Sequence, residues 1–195
     1  MKLFDWVLGK KHPSAAWHRE PGFVVQLDLD RHALCRCRIG DPLEWISGLG
    51  PPEDSRALSE QRYCYYSQGI EIGEEDNKMA DFAVFWFDYL QAGFQPFKGP
   101  VTYGGKTVSL GSGTTETEFV HVCGAPYWRD QDQDEIILFY EFRGDIEWQV
   151  EFTLKSELKA LRVVWPAIMG DAEQRERYGV TQPWPPREGP SHDPE

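Results

Sequence analysis

The stretch GDPLEWISGLGPP, residues 40–52, has the signals of a short helix that begins and ends within about two turns. Asp41 is the predicted N-cap and Pro42 the predicted first helical residue, because proline suits that position and a short polar side chain can cap the free N–H groups. Gly50 is the predicted C-terminal stop, and two prolines follow it. This helix, with apolar Trp45 inside it, fixes the register of everything around it.

A second short helix is predicted in GTTETEFVHVCG, residues 113–124. Thr115 or Thr114 is its predicted cap, and Glu118 lies at capping-box spacing from Thr115. Gly124 ends it and lies 74 residues after Gly50 (124 minus 50). The two helices therefore correspond at a single offset.

The same offset relates the segments around the helices, with Glu44 matching Glu118 and Tyr66 matching Tyr140. Alternating apolar residues predict a β-hairpin before each helix and three strands after it. The predicted strands are 23–29, 34–39, 63–66, 69–72 and 79–87 in the first half, and 100–103, 107–110, 136–142, 146–152 and 158–164 in the second. The pattern predicts an α+β fold of two tandem repeats, each a β-hairpin, a short helix and an antiparallel β-meander, packed as one compact unit.

The repeats imply four regions along the chain. Residues 1–20 are predicted to form an N-terminal arm with a short helix, residues 21–92 the first helix-plus-sheet repeat, and residues 93–166 the second. Residues 167–195 are charged and then proline-rich, which predicts one solvated helical turn followed by extended or disordered chain.

Composition limits the classes of partner. The chain has 195 residues and a formal net charge of −12, which opposes binding to nucleic acid or an anionic membrane and favours a basic protein. No apolar stretch approaches the ~20 residues of a membrane span, and the first residues are too polar for a signal peptide. We therefore expect a cytoplasmic protein whose four cysteines stay reduced. No motif indicates a cofactor.

The two capped helices, in residues 39–52 and 110–126 with the aromatic strands that follow each, resemble the repeat of β-lactamase-inhibitory-protein-like domains and of the related SmpA/OmlA outer-membrane assembly lipoproteins. Two tandem copies look like the inhibitory proteins. The resemblance implies a non-catalytic, protein-binding role. Because the chain lacks the export signal or lipid-modified cysteine of those exported proteins, the β-lactamase target is not carried over. An intracellular bacterial inhibitor or immunity-type factor is the expected role.

An acidic loop suggests an alternative function. Asp130, Asp132, Asp134 and Glu141 occupy positions 1, 3, 5 and 12 of a Ca²⁺-loop spacing, so a Ca²⁺-binding protein or a metal-dependent enzyme is conceivable. Against this, position 6 is Glu135 rather than glycine, and a strand rather than a helix follows. A solvated acidic loop is the simpler interpretation.

Aromatic residues suggest where a partner would bind. Tyr127 and Trp128 are predicted on an accessible loop beside Asp130, Asp132 and Asp134. Phe139 and Trp86 lie on strands that are apolar on both faces, and a single helix per repeat covers only one face. The expected partner-binding residues are Tyr127, Trp128, Asp130, Asp132, Asp134, Phe139 and Trp86. A structural homodimer joined through the apolar sheet face is a further alternative.

Overall fold

The structure is a computed structural model, and it describes residues 13–54, 57–87 and 92–184. The strands are β1 (Leu27–Asp28), β2 (Ala33–Leu34), β3 (Cys37–Arg38), β4 (Arg62–Tyr65), β5 (Ile70–Glu75), β6 (Lys78–Phe85), β7 (Val101–Tyr103), β8 (Lys106–Val108), β9 (Trp128–Gln131), β10 (Glu135–Phe142), β11 (Ile146–Thr153) and β12 (Leu158–Val164). The α-helices are α1 (Glu116–Cys123) and α2 (Ala172–Arg177). Short 3₁₀ helices span Pro13–Ala16, Leu43–Leu49, Ala57–Glu60, Tyr66–Gln68 and Ile168–Gly170.

The small sheet has five strands in the order β3-β2-β1-β7-β8. Its parallel pair is β1 with β7, in which Leu27 lies opposite Val101. The prediction of two long strands over 23–29 and 34–39 was wrong: the structure has three two-residue strands. The reason is a tight turn in which Cys35 and Arg36 both have positive φ, and this turn interrupts the second predicted strand.

The large sheet has seven antiparallel strands in the order β4-β5-β6-β12-β11-β10-β9. Strands β10, β11 and β12 match the predicted segments closely, and β9 is additional. Two mostly antiparallel sheets with a few short helices confirm the α+β class. Strands from both halves of the chain meet in each sheet, because β1 pairs with β7 and β6 pairs with β12.

The main core lies between the two sheets and under the helices of residues 43–49 and 116–123. Trp148 of β11 is fully buried there, and its Nε1 donates to Nδ1 of His32 at 2.9 Å. Because His32 precedes β2, this bond joins the small sheet to the large one.

The first helix differs from its prediction in type and in cap. Residues 43–49 form a 3₁₀ helix, and Pro42 precedes it in an extended conformation. The Asp41 carboxylate accepts the Arg38 N–H at 2.8 Å, so it serves the preceding turn instead of capping the helix. Gly50 ends the helix as predicted, with a φ of 80°.

The second helix, α1, has the predicted capping box. Thr115 Oγ1 accepts the Glu118 N–H, and the Glu118 carboxylate accepts the Thr115 N–H at 2.8 Å. Both N-terminal donors are therefore satisfied inside the helix end, which explains why so short a helix is well defined.

Replacing Thr115 with alanine is expected to lower the free energy of unfolding by about 1 kcal/mol, because the Glu118 N–H loses its acceptor. Thr117→Ala is the matched control, since Thr117 is exposed on the same helix and is not part of the capping box. Urea unfolding of both variants measures the difference. Equal losses in the two variants would contradict the capping assignment.

The face of the large sheet that points away from the core, here the outer face, is covered over much of its area. Its charged residues are paired: Arg62 contacts Asp81, and Arg162 donates to Glu151 at 3.1 Å. The prediction that β11 has one wet face was wrong, because Glu147 and Glu151 are both buried.

Two chain segments that the sequence did not assign to the core cover the outer face. Phe94 packs on Phe85 beside β6, and residues 167–184, here the C-terminal segment, pack on β9 to β11. Helix α2 within that segment is exposed, as predicted, but Met169 is fully buried. The expectation of an extended or disordered tail is therefore wrong for residues 167–184, and residues 185–195 lie outside the described residues.

The predicted helix of the N-terminal arm also lies outside the described residues. From Pro13 onward the arm contacts the domain, with the Trp17 ring stacked on Tyr63 at 5.6 Å. Within the described part of the chain, no helix is both long enough and apolar enough to cross a membrane.

Candidate functional site

The predicted aromatic contact at Tyr127 is not accessible. The side chain is only 8% exposed, and its hydroxyl lies 3.2 Å from the Gln182 carbonyl and 3.3 Å from the Pro183 carbonyl. Trp184 packs edge-on against its ring at 5.7 Å. Trp128 begins β9 instead of lying on a loop, and it is half-buried against the same segment. The C-terminal segment thus occupies the surface that the sequence predicted to be open.

Phe139 and Trp86 are buried as well, at 1% and 2% exposure. Trp86 packs with Phe97 in the core between the sheets, and Phe139 lies under Tyr178 and Met169 on the outer face. Neither residue can contact a partner in this conformation, so both predictions were wrong. The apolar sheet face proposed for a homodimer is likewise covered by the chain itself.

The acidic residues after Trp128 do not form the predicted metal loop. The Asp132 carboxylate accepts the N–H groups of Asp134 and Glu135, which lowers its pKa and closes a tight turn. Glu141 lies six residues along β10 from Glu135, about 20 Å away at the rise of a β-strand. Over residues 13–54, 57–87 and 92–184, no group of three or more His, Cys, Asp or Glu side chains could hold a metal ion. The structure therefore contradicts a Ca²⁺ site built from Asp130, Asp132, Asp134 and Glu141.

Glu141 instead forms a buried carboxyl pair with Glu147 of the neighbouring strand, which lies opposite it in the sheet. The Glu147 carboxylate accepts the Met169 N–H at 2.8 Å and the Gln149 amide at 2.6 Å. Burial, and then the adjacent Glu147, raises the pKa of Glu141 from 4.5 to about 10. Glu141 is therefore protonated at neutral pH, and the pair holds the start of the C-terminal segment against the sheet.

The most exposed apolar surface in the described chain lies elsewhere, beside the first helix. Val24 is 62% exposed and Trp45 is 55% exposed, and both line a groove of about 590 Å³. Phe23 contributes a further apolar wall. The remaining groove residues are Glu20, Gly22, Gln26, Cys35 and Arg36. We call this the Trp45 groove.

The 3₁₀ geometry of residues 43–49 explains why Trp45 faces outward. A 3₁₀ helix has three residues per turn, so Leu43, Ile46 and Leu49 share one face, and all three are buried. Trp45 falls between them and is left on the solvent side. Phe119, which lies 74 residues after Trp45 (119 minus 45), is fully buried in α1.

Sequence reasoning missed Trp45 because it counted this residue among the apolar positions of an α-helix. The signal was present in the spacing: Leu43, Ile46 and Leu49 already supply a complete buried face at intervals of three. That leaves an additional tryptophan without a place in the core.

The chemistry of the Trp45 groove favours binding over catalysis. Burial raises the pKa of the Cys35 thiol to about 12, so this thiol is protonated and a poor nucleophile. Glu20 and Arg36 supply one charge of each sign at exposed positions. The groove offers apolar area with a polar rim, which is the composition of a protein contact surface.

Comparison with protein-family models found no match, and comparison with curated proteins found none either. Among solved structures, the chain is similar to a DUF4309 family protein (YjgB) from Bacillus subtilis, with a TM-score of 0.40 and 14% sequence identity. The alignment covers 60% of this chain and 73% of that chain. A similarity at this level assigns neither a family nor an activity.

Proposed function

We propose that this protein is a non-catalytic protein-binding module that contacts its partner through the Trp45 groove. The observation that supports the proposal is the joint exposure of Val24 and Trp45, at 62% and 55%, on the walls of one groove. Single exposed apolar residues are common on soluble proteins, whereas adjacent ones around a concavity mark interaction sites.

A tryptophan at the edge of a groove is well suited to supply much of the binding energy. Tryptophan is enriched among the few interface residues whose truncation costs more than about 2 kcal/mol. Phe23 and Val24 would exclude water around it, and Glu20 and Arg36 would form the polar rim. The partner's matching feature is an apolar side chain that fills the groove.

The charge of the protein favours a basic partner. The net charge is −12, and exposed acidic residues near the groove include Glu20 and Glu44. Complementary charge raises the association rate and weakens binding to competing acidic proteins. A basic protein, such as a nuclease toxin, is the class that we propose.

The proposed architecture is a pair of tandem repeats of the β-lactamase-inhibitory-protein-like kind. The pairing of Leu27 with Val101 and of Asp28 with Thr102 supports it, because both pairs are separated by 74 residues (101 minus 27, 102 minus 28). With the resemblance of the helix motifs, this supports an inhibitor or immunity-type role in the bacterial cytoplasm.

Capture from native lysate tests the proposed contact. Wild-type protein is compared with Trp45→Ala, and Trp165→Ala is the matched control because Trp165 is 49% exposed on a different element. We expect wild type and Trp165→Ala to recover the same stoichiometric protein, and Trp45→Ala to bind the purified partner at least about tenfold more weakly. Recovery is expected to fall between low and moderate salt.

Two outcomes would contradict the proposal. One is the absence of any stoichiometric partner at every salt concentration. The other is equal weakening by Trp45→Ala and Trp165→Ala, which would place the contact outside the groove.

A further inference from the structure

The C-terminal segment contacts the outer face as an extended ligand would contact a receptor. Its last described residues, 178–184, contain no helix or strand, so side chains of the sheet hold them. We define the aromatic face as Tyr127, Trp128, Ile137 and Phe139, which pack together against this segment.

Two kinds of contact attach residues 178–184 to the aromatic face. The Tyr178 ring packs edge-on against Phe139 at 5.1 Å, and Trp184 packs in the same way against Tyr127 at 5.7 Å. Between them, the Tyr127 hydroxyl lies within hydrogen-bond distance of two successive backbone carbonyls, those of Gln182 and Pro183. Ring contacts combined with hydrogen bonds to a proline-containing backbone are the features by which aromatic grooves recognise extended proline-rich peptides.

The segment leaves part of the aromatic face unsatisfied. Nε1 of Trp128 is buried and has no hydrogen-bond acceptor. An unpaired buried donor costs about 1–3 kcal/mol. A ligand with a carbonyl at that point would regain this energy, so residues 178–184 are an imperfect occupant of the surface that they cover.

We propose that the aromatic face is a recognition surface for an extended segment of another chain in which an aromatic residue adjoins proline. Residues 178–184, which contain Pro183 and Trp184, are the built-in competitor for that surface. The segment keeps the face closed until a ligand that also satisfies Trp128 displaces it. This surface is separate from the Trp45 groove and does not depend on the function proposed there.

A peptide of residues 176–184, ERYGVTQPW, is the probe. Because the wild-type chain fills its own site at a high effective concentration, the peptide must first displace residues 178–184. We expect the labelled peptide to bind the full chain carrying Trp184→Ala at least about tenfold more tightly than the wild-type chain, by fluorescence anisotropy. A peptide with the Trp184→Ala change is the matched control and is expected to lose binding.

A second variant connects the binding to the face itself. Tyr127→Phe, added to the Trp184→Ala chain, removes the hydroxyl that contacts the two carbonyls and is expected to weaken peptide binding several-fold. Tyr178→Ala in the full chain is an independent way of loosening the segment if Trp184→Ala reduces thermal stability. Equal peptide affinity for the wild-type chain and both loosened chains, or no binding to any chain, would overturn the proposal.

Discussion

Replacing Trp148 with alanine is expected to lower the free energy of unfolding by about 4 kcal/mol. Trp148 is fully buried between the sheets and packs against Tyr103, Tyr140 and Phe142. Removal of the indole leaves a cavity among rings that cannot all move inward, so contacts are lost on every side. For a chain of this size the loss corresponds to a melting temperature lower by about 8–16 °C, measured by circular dichroism.

The substitution Trp148→Phe separates packing from hydrogen bonding. It keeps an aromatic ring in the site but removes the donor to Nδ1 of His32, which leaves a buried acceptor unpaired. We expect a smaller loss, of about 1–2 kcal/mol. If both variants lost the same amount, or if Trp148→Ala lost less than about 1 kcal/mol, the indole would not connect the two sheets as described.

Replacing Glu141 with glutamine is expected to stabilise the protein above neutral pH. The pKa of Glu141 is raised in the folded state, so folding favours its protonated form. Stability from this group is complete below its ordinary pKa of 4.5 and is lost as pH rises toward about 10. Glutamine occupies nearly the same volume and has no charge to suppress, so the variant does not lose this stability.

The sharpest measurement is the difference in unfolding free energy between Glu141→Gln and wild type from pH 7 to 8.5. Burial lowers the pKa of His32 to about 4, so His32 is largely neutral in this range whether the chain is folded or not. The pKa of the Cys35 thiol is raised to about 12, and this thiol affects stability only at higher pH. The difference is expected to widen by up to about 1.4 kcal/mol per pH unit and to reach about 2 kcal/mol at pH 8.5.

The matched control is Glu176→Gln, an exposed carboxylate on α2. It is expected to leave the pH dependence of stability unchanged. A Glu141→Gln profile that runs parallel to wild type over the same pH range would show that Glu141 is ionised in the folded protein.

Local sequence determined the elements whose stabilising contacts lie within a few residues. The capping box of Thr115 and Glu118 is complete within four residues, and it was predicted together with its helix. The strands of the second half alternate clearly, and their positions were predicted to within one or two residues. The shorter hairpin strands were mispredicted because the positive φ values of Cys35 and Arg36 give no signal in hydrophobic periodicity.

The candidate site could not be located from the sequence, because burial there depends on segments that are distant along the chain. Tyr127, Trp128 and Phe139 have the composition of a contact surface, but residues 167–184 fold back over them. The composition of that segment, charged and then proline-rich, predicted no packing. Only the folded chain shows that Met169 and Trp184 find apolar partners on the outer face.

The sequence by itself determined the α+β class, the capped second helix and the acidic balance that favours a basic partner. Tertiary structure decided which aromatic residues remain available: it covered Tyr127 and Phe139, and it left Trp45 exposed by forming a 3₁₀ helix with three residues per turn. It also converted Glu141 from a candidate metal ligand into a buried, protonated carboxyl. The physical reason is that exposure and pKa depend on which surfaces meet across the fold, whereas helix caps and strand alternation depend on neighbouring residues.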